Sequence, residues 1–162
     1  MMNPEPQKQH EWLKKLVGEW TIESEMPAEP GKEAEKLTGV ETVRTLGDVW
    51  VLFEGRGQMP GGGEGTTLMT LGYDPQKGCF VGTWHGSMMT NLWVYDNGEL
   101  DAAERVLSLH SEGPSFSGGP TFDKYRDEIE VVSDDHRILR GNVQGENGEW
   151  NHFMTTHYRR KK

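Results

Sequence analysis

The chain has 162 residues, with 17 basic and 26 acidic side chains and a formal net charge of −9. This length suits a single domain with its own core, and the acidic balance disfavours binding to the phosphate backbone of nucleic acids. The one cysteine excludes a disulfide within the chain. No apolar run reaches membrane-spanning length, and residues 1–10 lack the apolar core of a signal peptide, so we expect a cytoplasmic protein without a membrane partner.

The first predicted element is a short helix over residues 6–17. Trp12, Leu13 and Leu16 lie on one stripe at helical spacing. From residue 20 to residue 26 apolar and charged side chains alternate, with Met26 on the apolar face, which is the pattern of a strand with one buried side. We expect the helix to close one end of the structure that the strands build.

Nine further extended segments follow, and short turns join nearly all of them. The segments cover residues 37–46, 49–57, 66–73, 79–87, 92–96, 99–111, 122–132, 136–144 and 149–160. Asn-Gly pairs at 97–98 and 147–148 predict tight hairpin turns. Strands joined by such short connections must pair antiparallel, and closing the sheet removes both exposed edges.

The sequence therefore predicts an all-β fold, a closed antiparallel up-and-down barrel of about ten strands. The barrel would occupy residues 19–160 of a single domain that spans 1–162, with a sandwich as the alternative.

One motif near the start of the predicted barrel resembles the lipocalins and their calycin relatives. Leu13-x-x-Leu16-Val17-Gly18-Glu19-Trp20 contains the Gly-x-Trp that opens the first strand of those barrels. The resemblance implies that Trp20 plugs one end of the barrel beneath a basic residue of the last strand. Tyr158-Arg159-Arg160 would supply that cation.

A wider resemblance covers nearly the whole chain and is to the bacterial family known as domain of unknown function 1579. Its motifs here are Leu71-Gly72-Tyr73-Asp74, Phe80-Val81-Gly82-Thr83-Trp84, Ser87-Met88-Met89, Leu139-Arg140-Gly141 and Trp150-x-x-Phe153-Met154 with Tyr158-x-Arg160. This resemblance implies a calycin-like barrel, and it implies no activity and no catalytic residues.

Leu16-Val17-Gly18-Glu19-Trp20 is also similar to the nitrobindins, ten-stranded barrels that hold ferric haem through a histidine late in the chain. In this sequence Thr21-Ile22-Glu23-Ser24 replaces the glycine-rich continuation of those proteins. No haem or other cofactor is therefore predicted. The histidines also lack the short spacing of known zinc motifs, so no metal site is predicted.

Alternation suggests which polar groups enter the barrel. In the last strand Trp150, His152 and Met154 share one face, and we expect it to point inward because it carries more apolar bulk. A histidine with a satisfied hydrogen bond is the alternative to ligand contact at His152. In segment 122–132 the apolar face includes Asp127, a carboxylate that needs a partner if it is buried.

Arg140 and Arg56 are candidate partners for that carboxylate. The pairing would make Asp127 either part of a structural ion pair or a polar anchor for a ligand.

We expect a binding barrel that encloses a small, mainly apolar molecule. The predicted ligand-binding residues are Trp20, His85, Met89, Trp93, Glu104, Tyr125, Asp127, Arg140, Trp150, His152 and Met154. One alternative is an enzyme that uses His152 with Asp127 or Glu104 as acid–base groups. The other is a filled structural or oligomerisation barrel without a ligand. The sequence also allows a homodimer.

Overall fold

The computed structural model describes residues 4–26, 31 and 33–162, with Met26 described by its backbone only, so the predicted place of the Met26 side chain lies outside the described residues. One helix, α1 (Lys8–Lys14), precedes ten strands. The strands are β1 (Gly18–Met26), β2 (Glu35–Leu46), β3 (Trp50–Gln58), β4 (Glu64–Asp74), β5 (Cys79–Gly86), β6 (Trp93–Leu100), β7 (Val106–Pro114), β8 (Phe122–Ser133), β9 (His136–Gln144) and β10 (Trp150–Arg160). Within these ranges no helix is both long enough and apolar enough to cross a membrane.

The ten strands close into an antiparallel up-and-down barrel, as predicted. Each strand pairs with its neighbours in sequence, and β1 also pairs with β10, from Trp20 opposite Arg160 to Glu25 opposite Thr155. Closure gives every strand a partner on both sides, which removes the exposed edges of an open sheet. The sandwich alternative is thereby excluded.

The hairpin turn predicted at Asn97-Gly98 is wrong. Both residues lie inside β6, where the register between β5 and β6 shifts and produces a bulge. The chain turns instead at residues 101–105, where the Asp101 carboxylate accepts two backbone N–H groups at 2.8 and 3.1 Å. The predicted strand 99–111 is therefore divided between the end of β6 and β7.

Helix α1 covers one end of the barrel, which we call the closed end. Trp12, Leu13 and Leu16 are almost completely buried and join the core cluster that contains Trp20. The indole N–H of Trp20 donates to the backbone oxygen of Leu16 at 2.9 Å, which ties the first strand to the segment after the helix. Burial of these four large apolar side chains at one place stabilises this end of the barrel.

The glycine of the Gly-x-Trp motif, Gly18, is required by its backbone conformation and by the nearby side chain of Arg160. Its φ of +141° favours glycine, and a Cβ at this position would overlap the guanidinium of Arg160. That guanidinium lies 4.3 Å from the centre of the Trp20 ring and donates to the Val17 carbonyl at 2.6 Å. The predicted basic residue of the last strand over Trp20 is thus confirmed as Arg160.

Candidate functional site

The half of the barrel away from α1 encloses a cavity of about 440 Å³. At its rim, the connections that follow β3, β5 and β7 contribute Met59, Met88, Met89 and Phe116. The deeper walls are mostly apolar and include Ile22, Leu37, Met69, Trp84, Leu109, Leu139 and Met154. We call this the open end.

Four aromatic rings form one wall of the cavity. Trp93 and Tyr125 meet edge to face with ring centres 4.9 Å apart, and Phe116 and Phe153 do so at 4.8 Å. The Tyr125 hydroxyl donates to the Pro114 carbonyl at 2.5 Å, which fixes the tyrosine ring. Edge-to-face pairs of this kind hold their members in defined positions.

A bulge in β10 gives the cavity its fourth aromatic ring. The register with β9 shifts between His152 and Met154, so Phe153 is the additional residue. Phe153 and Met154 are consecutive, yet both line the cavity. The ring of Phe153 lies over Gly141, where a Cβ would overlap it, so the glycine in β9 creates the space for the ring.

The prediction that Trp150 and His152 face the interior is wrong. The extra residue of the bulge changes which positions point inward, so that Met154 after the bulge faces the cavity while Trp150 and His152 before it face outward. Trp150 stacks on the guanidinium of Arg126 at 4.7 Å, on the outer face of the barrel. His152 is exposed, and its Nε2 lies 2.7 Å from the Thr155 hydroxyl. Neither residue belongs to the cavity.

Asp127 and Tyr95 form a hydrogen-bonded polar pair inside the cavity. The Tyr95 hydroxyl donates to a carboxylate oxygen of Asp127 at 2.6 Å, and both residues line the cavity. Asp127 lies between Leu109 and Gly141 in the strand register, so its neighbours across the strands offer no charge. Burial raises the pKa of Asp127 to about 6, although the hydrogen bond from Tyr95 opposes this rise. The pKa of Tyr95 is raised well above its ordinary value by burial and by the carboxylate, so Tyr95 remains the donor.

A buried ion pair between Glu41 and Arg137 lies between the cavity and the closed end. The Arg137 side chain is 2% exposed and donates to Glu41, and its guanidinium stacks 3.8 Å from the ring centre of Tyr158 and 4.8 Å from that of Trp20. Burial raises the pKa of Glu41, against the opposing effect of Arg137. Glu41 and Tyr158 both contact the cavity.

Sequence reasoning missed this pair, although alternation contained a signal for one partner. In β2 the carboxylate of Glu41 shares a face with the buried Leu37 and Val43, as Asp127 does with Tyr125 and Ile129 in β8.

The predicted ligand-binding residues divide into two groups. Five of them line the cavity: Met89, Trp93, Tyr125, Asp127 and Met154. The other six do not: Trp20 is buried at the closed end, His85 and His152 are exposed, Trp150 is on the outer face, Arg140 pairs with Glu130 at 2.8 Å, and Glu104 is in the turn at 101–105.

The acid–base set proposed from sequence is therefore not assembled. The Glu104 carbonyl accepts the indole N–H of Trp12 at 2.7 Å, which places this residue at the closed end, and His152 is on the outer face. Asp127 pairs with Tyr95 and with neither Arg140 nor Arg56, whose guanidiniums lie near Glu130 and Glu64.

The sequence matches a family described as protein of unknown function (DUF1579) over residues 5–160. No curated protein matches the chain. The barrel is similar to the crystal structure of Rv2717c from M. tuberculosis, with a TM-score of 0.59 and 10% identity over 98% of this chain and 100% of that chain. It is also similar to EF1p2_mFAP2b bound to DFHBI, with a TM-score of 0.49 and 11% identity over 94% of this chain and 98% of that chain. At such identities the likeness concerns the barrel fold alone.

Proposed function

The chain belongs to the DUF1579 family of unknown function, and on that premise we propose that it binds a small, mainly apolar molecule inside its barrel. The cavity of about 440 Å³ at the open end carries this proposal. Its volume falls in the range of small-molecule pockets, and its mostly apolar walls carry a few polar groups, among them the hydrogen-bonded pair of Asp127 and Tyr95.

The packing of the interior differs between its two ends, and this difference supports a ligand-binding barrel over a filled structural barrel. Near α1 the core is filled by fully buried side chains, among them Leu71, Leu107 and Ile129. At the open end the apolar walls enclose space instead, and side chains that border a void lose dispersion contacts. An apolar molecule of suitable size would restore those contacts and remove apolar surface from water.

The rim suits molecules of varied shape. Met59, Met88 and Met89 lie at the rim, and methionine is an unbranched, polarisable side chain that adapts to irregular surfaces. Phe116 is 68% exposed at the same rim and has apolar surface available for contact. These side chains can change rotamer to fit the shape of a ligand while the strands keep their positions.

Titration with the neutral fluorophore N-phenyl-1-naphthylamine tests the proposal. We expect saturable fluorescence enhancement with the wild-type protein and its loss in Met154→Trp, which fills the cavity from β10. Thr155→Trp is the matched control, because the neighbouring residue points to the outer face and hydrogen-bonds His152 there. Absence of saturable binding to the wild-type protein, or equal binding to both variants, would contradict the proposal.

A cytoplasmic location and a homodimer remain predictions from sequence. The ligand-binding role requires neither of them.

A further inference from the structure

We propose that the cavity selects molecules that carry a protonated amine, with the ammonium group paired to Asp127 and the apolar body along the aromatic wall. This inference rests on the proposed ligand-binding function and specifies its ligand class.

Asp127 is a carboxylate inside the cavity without a paired cation among the described residues. Its hydrogen-bond partner is the neutral hydroxyl of Tyr95, 2.6 Å away, and its cross-strand neighbours are Leu109 and Gly141. A buried carboxylate without a countercharge is unfavourable, and a cation brought by a ligand would offset that cost.

The other ionisable groups of the cavity do not supply this cation. Arg137 on β9 is paired with Glu41 on β2, so the two charges compensate each other. Tyr158 on β10 also faces the carboxylate, and burial and Glu41 raise its pKa, which keeps it neutral. Arg56 contacts the cavity at the mouth, where its guanidinium lies 3.8 Å from Glu64. Among the residues that the structure describes, those lining the interior therefore carry one net negative charge when Asp127 is ionised.

The walls beside Asp127 also suit an amine. Phe153 lies over Gly141, the residue paired with Asp127 across the strands, so an aromatic ring borders the carboxylate. Trp84 and Trp93 line the same cavity. Aromatic rings attract ammonium groups through their quadrupole and offer apolar surface to the rest of the molecule. The carboxylate of Asp127 and the aromatic rings beside it thus favour the same class of ligand, a hydrophobic amine.

The charge of Asp127 makes amine binding dependent on pH. Because its pKa lies at about 6, the carboxylate is mostly ionised at pH 7.5 and mostly protonated at pH 5. We expect the affinity for an amine to fall about tenfold between these two pH values, and the affinity for a neutral molecule of the same shape to stay nearly constant.

The experiment compares three molecules of one shape: 4-phenylbutylamine, 4-phenylbutan-1-ol and 4-phenylbutanoate. Each is titrated by calorimetry into the wild-type protein, Asp127→Asn and Glu130→Gln. The asparagine retains an acceptor for Tyr95, and Glu130→Gln removes an outer carboxylate of the same strand that pairs with Arg140. We expect wild type and Glu130→Gln to bind the amine at least tenfold more tightly than the alcohol and the anion, and Asp127→Asn to lose that preference while it still binds the alcohol.

The outcomes that contradict this inference differ from those that contradict the proposed function. Equal affinity of the wild-type protein for amine and alcohol overturns the inference and leaves the proposed function standing. Failure of all three molecules and of N-phenyl-1-naphthylamine to bind overturns both. If Asp127→Asn does not fold, the pH series on the wild-type protein decides, since pH-independent amine binding contradicts the role of Asp127.

Discussion

The same strands form both ends of this barrel, but one end is filled by side chains and the other holds a cavity. At the closed end the guanidiniums of Arg160 and Arg137 lie 4.3 and 4.8 Å from the ring centre of Trp20, and α1 packs against the same core cluster. At the open end methionine and aromatic side chains surround a cavity of about 440 Å³. Tight packing stabilises a fold, whereas binding sites are drawn from less densely packed regions. We infer that the closed end supplies most of the stability and so permits an unfilled space at the other.

Arg137→Met tests how far the packing around Trp20 depends on the buried ion pair. It leaves the Glu41 carboxylate buried without its partner, and we expect the free energy of unfolding to fall by about 3–5 kcal/mol. Urea unfolding measures the change. The control is Arg140→Met, which removes a half-exposed ion pair with Glu130 and should lower stability by less than about 1 kcal/mol. Equal losses would mean that the closed end has no special role.

A matched pair of truncations compares packing at the two ends. Leu107→Ala removes a fully buried side chain of the filled core, and we expect a loss of about 3 kcal/mol. Met154→Ala removes a side chain that already borders the cavity, so the loss should be about 1 kcal/mol. Urea denaturation of both variants checks the ranking, and a larger loss for Met154→Ala would reverse it.

Asp127 should make the stability of the open end depend on pH. Its folded-state pKa of about 6 lies above the ordinary aspartate value of 3.8, so folding favours the protonated form. The contribution is therefore most favourable at low pH and is lost as the pH rises towards and beyond 6. We expect Asp127→Asn to gain about 2 kcal/mol relative to wild type between pH 4 and pH 7. A constant difference in unfolding free energy over this range would contradict the assignment.

Phe116→Ser should leave stability almost unchanged and yet weaken binding. The ring is 68% exposed, so we expect a change in unfolding free energy within about 0.5 kcal/mol. Because the same ring lines the mouth of the cavity, the affinity for N-phenyl-1-naphthylamine should fall several-fold. Thermal melts and fluorescence titrations of this variant measure both quantities, and unchanged affinity would remove Phe116 from the site.

The fold was predictable because alternation and short turns act locally and repeat along the chain. The cavity was only partly predictable, because its polar groups meet across strands. Glu41 and Arg137 are 96 positions apart and belong to non-adjacent strands. Tyr95, the partner of Asp127, lies in a segment where both faces are apolar, so alternation does not orient it.

The bulge in β10 limited prediction in a different way. Trp150, Phe153 and Met154 are all large and apolar, so the sequence shows no break in pattern at the position where the inward face changes. Met154 beyond the bulge was placed correctly and Trp150 before it was not. A bulge changes which residues face inward without changing composition, and the glycine opposite it, Gly141, is a local signal of the bulge.

The pairing of β1 with β10 has a consequence for biosynthesis. While the ribosome is still making the chain, β1 has no β10 beside it and Trp20 lacks the cover of Arg160, so the nascent barrel exposes an unpaired strand. Contacts between such distant parts of the chain also slow folding. Closure of the barrel therefore waits until β10, a strand of eleven residues, has been synthesised and can pair with β1.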